Sequence, residues 1–170
     1  MNRPERSEYA DFYEDYVSNV PEDDIVAALE EQQNEIAALF SGISDEKGLY
    51  AYAEGKWTIK ELLGHLTDCE QVFAYRALRF ASGDETPLPG FDQDPCVANG
   101  NSNQTSMKDL LDEFLAHRKA SVIFFRNLPA EAWRRSGIAS DNPVTVRALS
   151  YMLVGHVRHH TKILKERYLA

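Results

Sequence analysis

The sequence predicts an all-α fold, a four-helix bundle, on three observations. Apolar residues recur at three- and four-residue spacing in four separate segments, and capping residues or Gly and Pro mark most of their ends. No segment shows the strict alternation of a half-buried strand, so no sheet is expected. At 170 residues the chain is long enough to enclose one core, and a single domain over residues 1–170 is expected.

The elements follow in chain order. Tyr9, Phe12, Tyr13 and Tyr16 lie at helical spacing, so the arm of residues 1–20 is expected to dock on a bundle edge rather than form a ligand box. A first helix runs from Glu22 on Ile25, Leu29, Ile36, Leu39 and Phe40 and stops at Gly42. Thr58 and Glu61 make a capping box at the start of the second, with Trp57 and Leu62 at the positions of a hydrophobic staple. Its stripe is Leu62, His65, Leu66, Cys69, Phe73 and Phe80, and Gly83 ends it. Ser106 with Asp109 caps a third helix, on Leu110, Phe114, Ser121 and Phe125, closed by Pro129. The fourth begins near Thr145 and carries Leu149, Met152, Leu153, His156, His160, Ile163 and Leu164. Between the second and third lies a long segment, Asp84 to Thr105, that includes the polar run NGNSNQTS. There is no internal repeat.

Composition removes several function classes. A formal net charge of -9, with no Lys/Arg-rich stripe, opposes the phosphate backbone, and no nucleic-acid partner is expected. No stretch approaches the ~20 apolar residues of a membrane span, and the start MNRPERSEYADFYEDY has no apolar signal run. A cytoplasmic chain without membrane contact is expected. Cys69 and Cys96 form neither a CxxC pair nor a disulfide framework, so a zinc site built on thiolates is not expected. Motifs such as GxSxG, HExxH and a glycine-rich phosphate loop are missing.

Three of the five histidines fall in GHVRHHTKIL, residues 155–164. His156 and His160 are i and i+4, on one helix face and within reach of one ion. Such a pair alone is weak evidence, because buried histidines bonded to backbone or carboxylate are common. His65 is the third ligand to be expected, since it lies on the apolar stripe of its own helix. It stands seven residues after the Thr58 cap, and His160 stands seven before the expected helix end at Arg167. In antiparallel helices both then sit about 10 Å from the same end of the bundle. Parallel helices would offset them by about 10 Å, too far for metal–nitrogen bonds of about 2.1 Å. His159, beside Arg158, reads as a rim residue or an outer-shell proton carrier, with a solvated surface histidine the favoured reading, and His117 as a bundle-edge histidine.

The segments WTIKELLGHLTDCEQVFAYRALRFASGD, PLPGFDQD and GHVRHHTKILKERY together resemble the DinB-like superfamily of metal-binding four-helix bundles, which includes thiol-dependent S-transferases and isomerases. The family's metal triad maps onto His65, His156 and His160. The resemblance implies an up-down-down-up bundle, usually a homodimer, that binds a divalent ion such as zinc or nickel. It also gives the long segment a purpose, as the crossover between two successive parallel helices. The second helix spans about 36 Å, and an extended chain covers about 3.3 Å per residue, so the segment is long enough.

Such a crossover can carry GFDQDPC past the metal. Asp92 and Asp94 are the candidate catalytic residues, as general base, outer-shell partner or substrate contact, against the reading of ordinary loop carboxylates. Cys96 reads as an unreactive loop thiol. Asp68 and Glu61 lie within one turn of His65 and either orient its second nitrogen or face solvent. Three neutral imidazoles leave a tetrahedral ion an open fourth position, as in catalytic sites. The expected function is a metal-dependent enzyme on a small molecule, with transfer of a low-molecular-weight thiol ahead of hydrolysis. The rivals are a non-catalytic dimeric stress protein that binds metal or ligand, and a purely structural bundle with histidines as core hydrogen-bonders.

Overall fold

The chain forms α1 (Glu14–Ser18), α2 (Ile25–Ser41), α3 (Asp45–Gly48), α4 (Ile59–Ala81), α5 (Gln93–Asn99), α6 (Met107–Arg126) and α7 (Val146–Ile163) in a computed structural model that describes residues 3–170. Capping side chains set the starts of the four long helices. Asp24, Thr58, Ser106 and Thr145 each accept from the backbone N–H three residues on. At Thr58 the box is complete, with the Glu61 carboxylate accepting from the Thr58 N–H at 2.7 Å. Gly83 follows α4 in the left-handed region at φ 79°, where a Cβ would be strained.

The long helices close a ring in which α4 and α2 each pack on both α6 and α7. The sense of each pair follows from its contacts. The Tyr168 hydroxyl, just past α7, donates to the Trp57 carbonyl before α4 at 2.8 Å, while Arg135, ahead of α7, donates to the Ala81 carbonyl at the far end of α4. Helices α4 and α7 are therefore antiparallel. Lys60 donates to the Thr105 carbonyl at 2.6 Å near the starts of α4 and α6, and Leu78 and Phe124 share a groove near their ends. These two run parallel. Beyond the end of α2, the Asp45 carboxylate accepts from the Met107 N–H at 2.7 Å, which makes α2 and α6 antiparallel. The bundle has the expected up-down-down-up sense.

The crossover from α4 to α6 is pinned by an element that the sequence did not predict. Strands β1 (Ser136–Ala139) and β2 (Asn142–Thr145) form an antiparallel hairpin, with Ser140 and Asp141 both at positive φ, 52° and 62°. Such paired left-handed residues match the right-handed twist of two short strands. The expectation of no sheet is corrected here. Each strand buries one residue, Ala139 or Val144, too few to form an alternating run. Leu88 in the crossover donates to the Ile138 carbonyl at 2.8 Å and accepts from the Ser140 N–H at 3.1 Å.

Two hydrophobic clusters fill the bundle, one on each side of a buried polar layer. Arg118 on α6, 0% exposed, donates to both carboxylate oxygens of Glu70 on α4, at 3.0 and 2.8 Å. It also donates to the Gln32 side chain on α2 at 2.6 Å and the Leu153 carbonyl on α7 at 3.4 Å. One guanidinium thus touches all four helices, and a bidentate carboxylate partner compensates its desolvation. The N-terminal arm lies on α7 through α1. Gly155 permits this approach, because a Cβ there would stand 1.9 Å from the Tyr16 carbonyl oxygen.

Candidate metal centre

The bundle brings His65 from α4 against His156 and His160 from α7, close to the polar layer. The His65 and His156 Nε2 atoms are 3.0 Å apart. Ring centroids lie 4.9 Å apart for His65 and His156, 4.8 Å for His65 and His160, and 4.5 Å for His156 and His160. His65 and His156 are buried, at 1% and 3% exposure, and His160 is half-buried. Matched ends explain the meeting, since the Trp57–Tyr168 bond sets α4 and α7 level there.

Burial also sets the protonation state of the cluster. It lowers the pKa of His65 to about 4 and that of His160 to about 3, with the neighbouring charges of His65 and His159 adding to the latter. His156 lies well below the ordinary value, again through burial first and the other histidines next. At neutral pH all three rings are uncharged and offer lone pairs, the form that binds a metal.

A tight donor group includes a residue that sequence reasoning passed over. The Cys69 sulfur lies 3.7 Å from His65 Nε2 and 3.8 Å from His65 Nδ1. Ligand atoms of His65, Cys69 and His156 all fall within 4.8 Å of one another. The cysteines form no CxxC framework, but the buried Cys69 thiol does stand beside the histidines. Its signal was HxxxC on the stripe of the second helix, the same i, i+4 relation as His156 and His160.

Aromatic rings wall the cluster. Trp57 lies 4.7 Å from His65 and stacks on His160 at 6.4 Å, and Phe73 meets His156 edge-on at 6.0 Å. Tyr16 of the arm meets His156 at 5.3 Å and His159 at 5.4 Å, and Tyr13 meets Phe73 edge-on at 6.1 Å. His159 is half-buried beside the cluster, and His117 lies in a separate groove with Glu70 and Tyr75. Glu61 is spent on the Thr58 cap and on accepting from Asn103 at 2.8 Å, so it does not orient His65.

Two clefts flank the histidines. A cavity of about 490 Å³ between α4, α6 and the crossover is lined by His65, Asp68, Gln71, Cys96 and Glu113, among others. Burial, with Glu113 nearby, raises the Asp68 carboxyl above its ordinary range. A smaller cleft of about 280 Å³ is lined by Tyr52, Trp57, Asp94, His160 and Tyr168. Of the two crossover carboxylates, Asp94 therefore faces the cleft that His160 lines. Asp92 is exposed and caps α5, accepting from the Asp94 N–H at 3.2 Å. Cys96 is exposed and lines the larger cavity.

Residues 28–164 match the family model of the DinB superfamily. The chain belongs to the DinB superfamily. A similar relative is "Putative metal-dependent hydrolase OB0413" of Oceanobacillus iheyensis, 29% identical over 142 residues that span 81% of this chain and 79% of the relative. The solved structure of YfiT from Bacillus subtilis, described as a probable metal-dependent hydrolase with an unusual four-helix bundle topology, is 16% identical. It superposes with a TM-score of 0.74 over 97% of this chain and 93% of its own. A mycothiol-dependent maleylpyruvate isomerase superposes with a TM-score of 0.66 at 15% identity, over 85% of this chain and 61% of its own. At these identities the two structures speak for the fold alone.

Proposed function

We propose that this chain is a metal-dependent enzyme acting on a small molecule. In this reading a divalent ion, zinc or nickel, is held by His65, His156 and His160, and transfer of a low-molecular-weight thiol comes ahead of hydrolysis. The observation that carries it is the convergence of three uncharged imidazoles from α4 and α7 beside a cavity large enough for a small molecule. The mycothiol-dependent isomerase supports the thiol chemistry, and the Oceanobacillus relative, a putative metal-dependent hydrolase, supports hydrolysis.

An ion there supplies the acidity that makes a thiol or a water nucleophilic at neutral pH. The other roles fall to the chain. His65 presents the donor cluster to the large cavity, and Trp57 and Tyr16 restrict water on the opposite sides. Asp94, in the cleft beside His160, is the better placed of the two crossover carboxylates to accept a proton; Asp92 has the cap to serve.

Metal analysis of the purified chain tests this reading. We expect about one zinc or nickel ion per chain, most of it lost in His65→Ala, His156→Ala and His160→Ala and retained in His117→Ala. Stoichiometric metal in all three site variants would remove these ligands and leave a structural bundle. The reading includes a cytoplasmic homodimer; no described helix is long and apolar enough to cross a membrane. Tyr75, Leu78 and Ile123, exposed on α4 and α6, support a second copy packing on that face. Sedimentation as a monomer at micromolar concentration would contradict it.

A further inference from the structure

We infer that the small molecule seated in the large cavity beside His65 carries a protonated amine, which Asp68 on α4 and Glu113 on α6 receive. The inference rests on the reading of that cavity as the substrate site, and names the charge its occupant must bring. The cavity holds about 490 Å³, within the range of small-molecule sites, and His65, 1% exposed, lines it, so an occupant lies against the donor cluster. Its charged lining has one sign. Asp68 and Glu113 are the carboxylates, and no lysine or arginine among the described residues lines the cavity with them.

Neither carboxylate has a protein partner. Glu8, Glu22 and Glu70 each hold an arginine, whereas among the described residues no ion pair or hydrogen bond reaches the side chain of Asp68 or Glu113. Burial and the charge of Glu113 both raise the Asp68 carboxyl, and no cation opposes them. Carboxylates in the wall of a cleft attract a cation and repel an anion, and the net charge of -9 adds to that field. Phe91, Val97 and Leu110 supply apolar lining for the rest of such a molecule.

A primary ammonium has three N–H donors, enough for both carboxylates, and no lone pair to offer a metal. It can therefore orient a molecule without competing for the donor cluster. A bare inorganic cation would leave the apolar lining and most of the volume unused. The competing account makes the two carboxylates a counter-charge to the ion on the histidines, with no preference among occupants.

Calorimetric titration of the purified full chain with 2-phenylethylamine and with 2-phenylethanol tests this, because the two probes match in size and differ by one charge at neutral pH. We expect the amine to bind about tenfold tighter, a preference that weakens with added salt and persists after chelation. Asp68→Asn combined with Glu113→Gln should bring the two affinities together by weakening the amine alone. Unchanged binding of the alcohol then shows that the cavity is intact; if the double variant loses both probes, the single variants decide in the same way. Equal affinities in the wild-type chain, an amine preference that survives the double variant, or no binding of either probe at millimolar concentration would overturn the inference. None of these outcomes touches the metal reading, which stands or falls on the metal content of the histidine variants.

Discussion

A buried imidazole must carry any charge without the hydration it would have in water, and His65, His156 and His160 face this cost in contact with one another. Their folded pKa values lie below the ordinary 6.5, at about 4 for His65 and about 3 for His160. Above pH 6.5 the rings are neutral in both folded and unfolded chains, and the stability is complete. As pH falls, the unfolded chain takes up protons first, so stability is lost from about 6.5 down through about 4 and 3. The His65 shift alone corresponds to about 3 kcal/mol across that window. For the metal-free chain we expect the urea midpoint to fall between pH 6.5 and 5, above the range where ordinary carboxylates titrate. A His65→Asn variant should show a shallower fall. A flat midpoint over that interval would mean that the rings are not buried as described.

Elements were legible where their determinants are local. Thr58, Ser106 and Thr145 announce three helix starts because an N-cap bonds within its own turn. Periodicity puts the first start at Glu22, yet the cap is Asp24 and the Glu22 carboxylate pairs with Arg158 of α7. Its role depends on a helix more than a hundred residues away, which periodicity cannot report. The same applies to Arg118. It occupies the core stripe of α6 between Phe114 and Ser121, but its partners come from three other helices. The hairpin and α5 are too short for a hydrophobic period, and they are held by the crossover and by caps. His65 could be matched to His156 and His160 because stripe position and distance from a helix end are both countable in sequence. Cys69 stands on the same stripe one turn from His65, and its nearness to that ring follows from the i, i+4 relation.

At the scale of the whole molecule, the proposed ion would join side chains 91 residues apart on α4 and α7. An unfolded chain cannot bring α4 and α7 donors together without a loop-closure cost, so the ion should bind the folded state preferentially. At a free concentration a thousand times its dissociation constant, it stabilises the fold by about 4 kcal/mol. For a domain of this size that corresponds to a melting-temperature shift on the order of 10 °C. Chelation should therefore lower the melting temperature by about that amount, as read by circular dichroism or calorimetry. His156→Ala should show a low melting temperature that chelator barely changes, because the variant has already lost the ligand set. His117→Ala should keep the full shift, since its ring lies in the groove with Glu70 and Tyr75. Fully additive losses from His156→Ala and chelation would mean that the two act independently, and that the ion sits somewhere other than between α4 and α7.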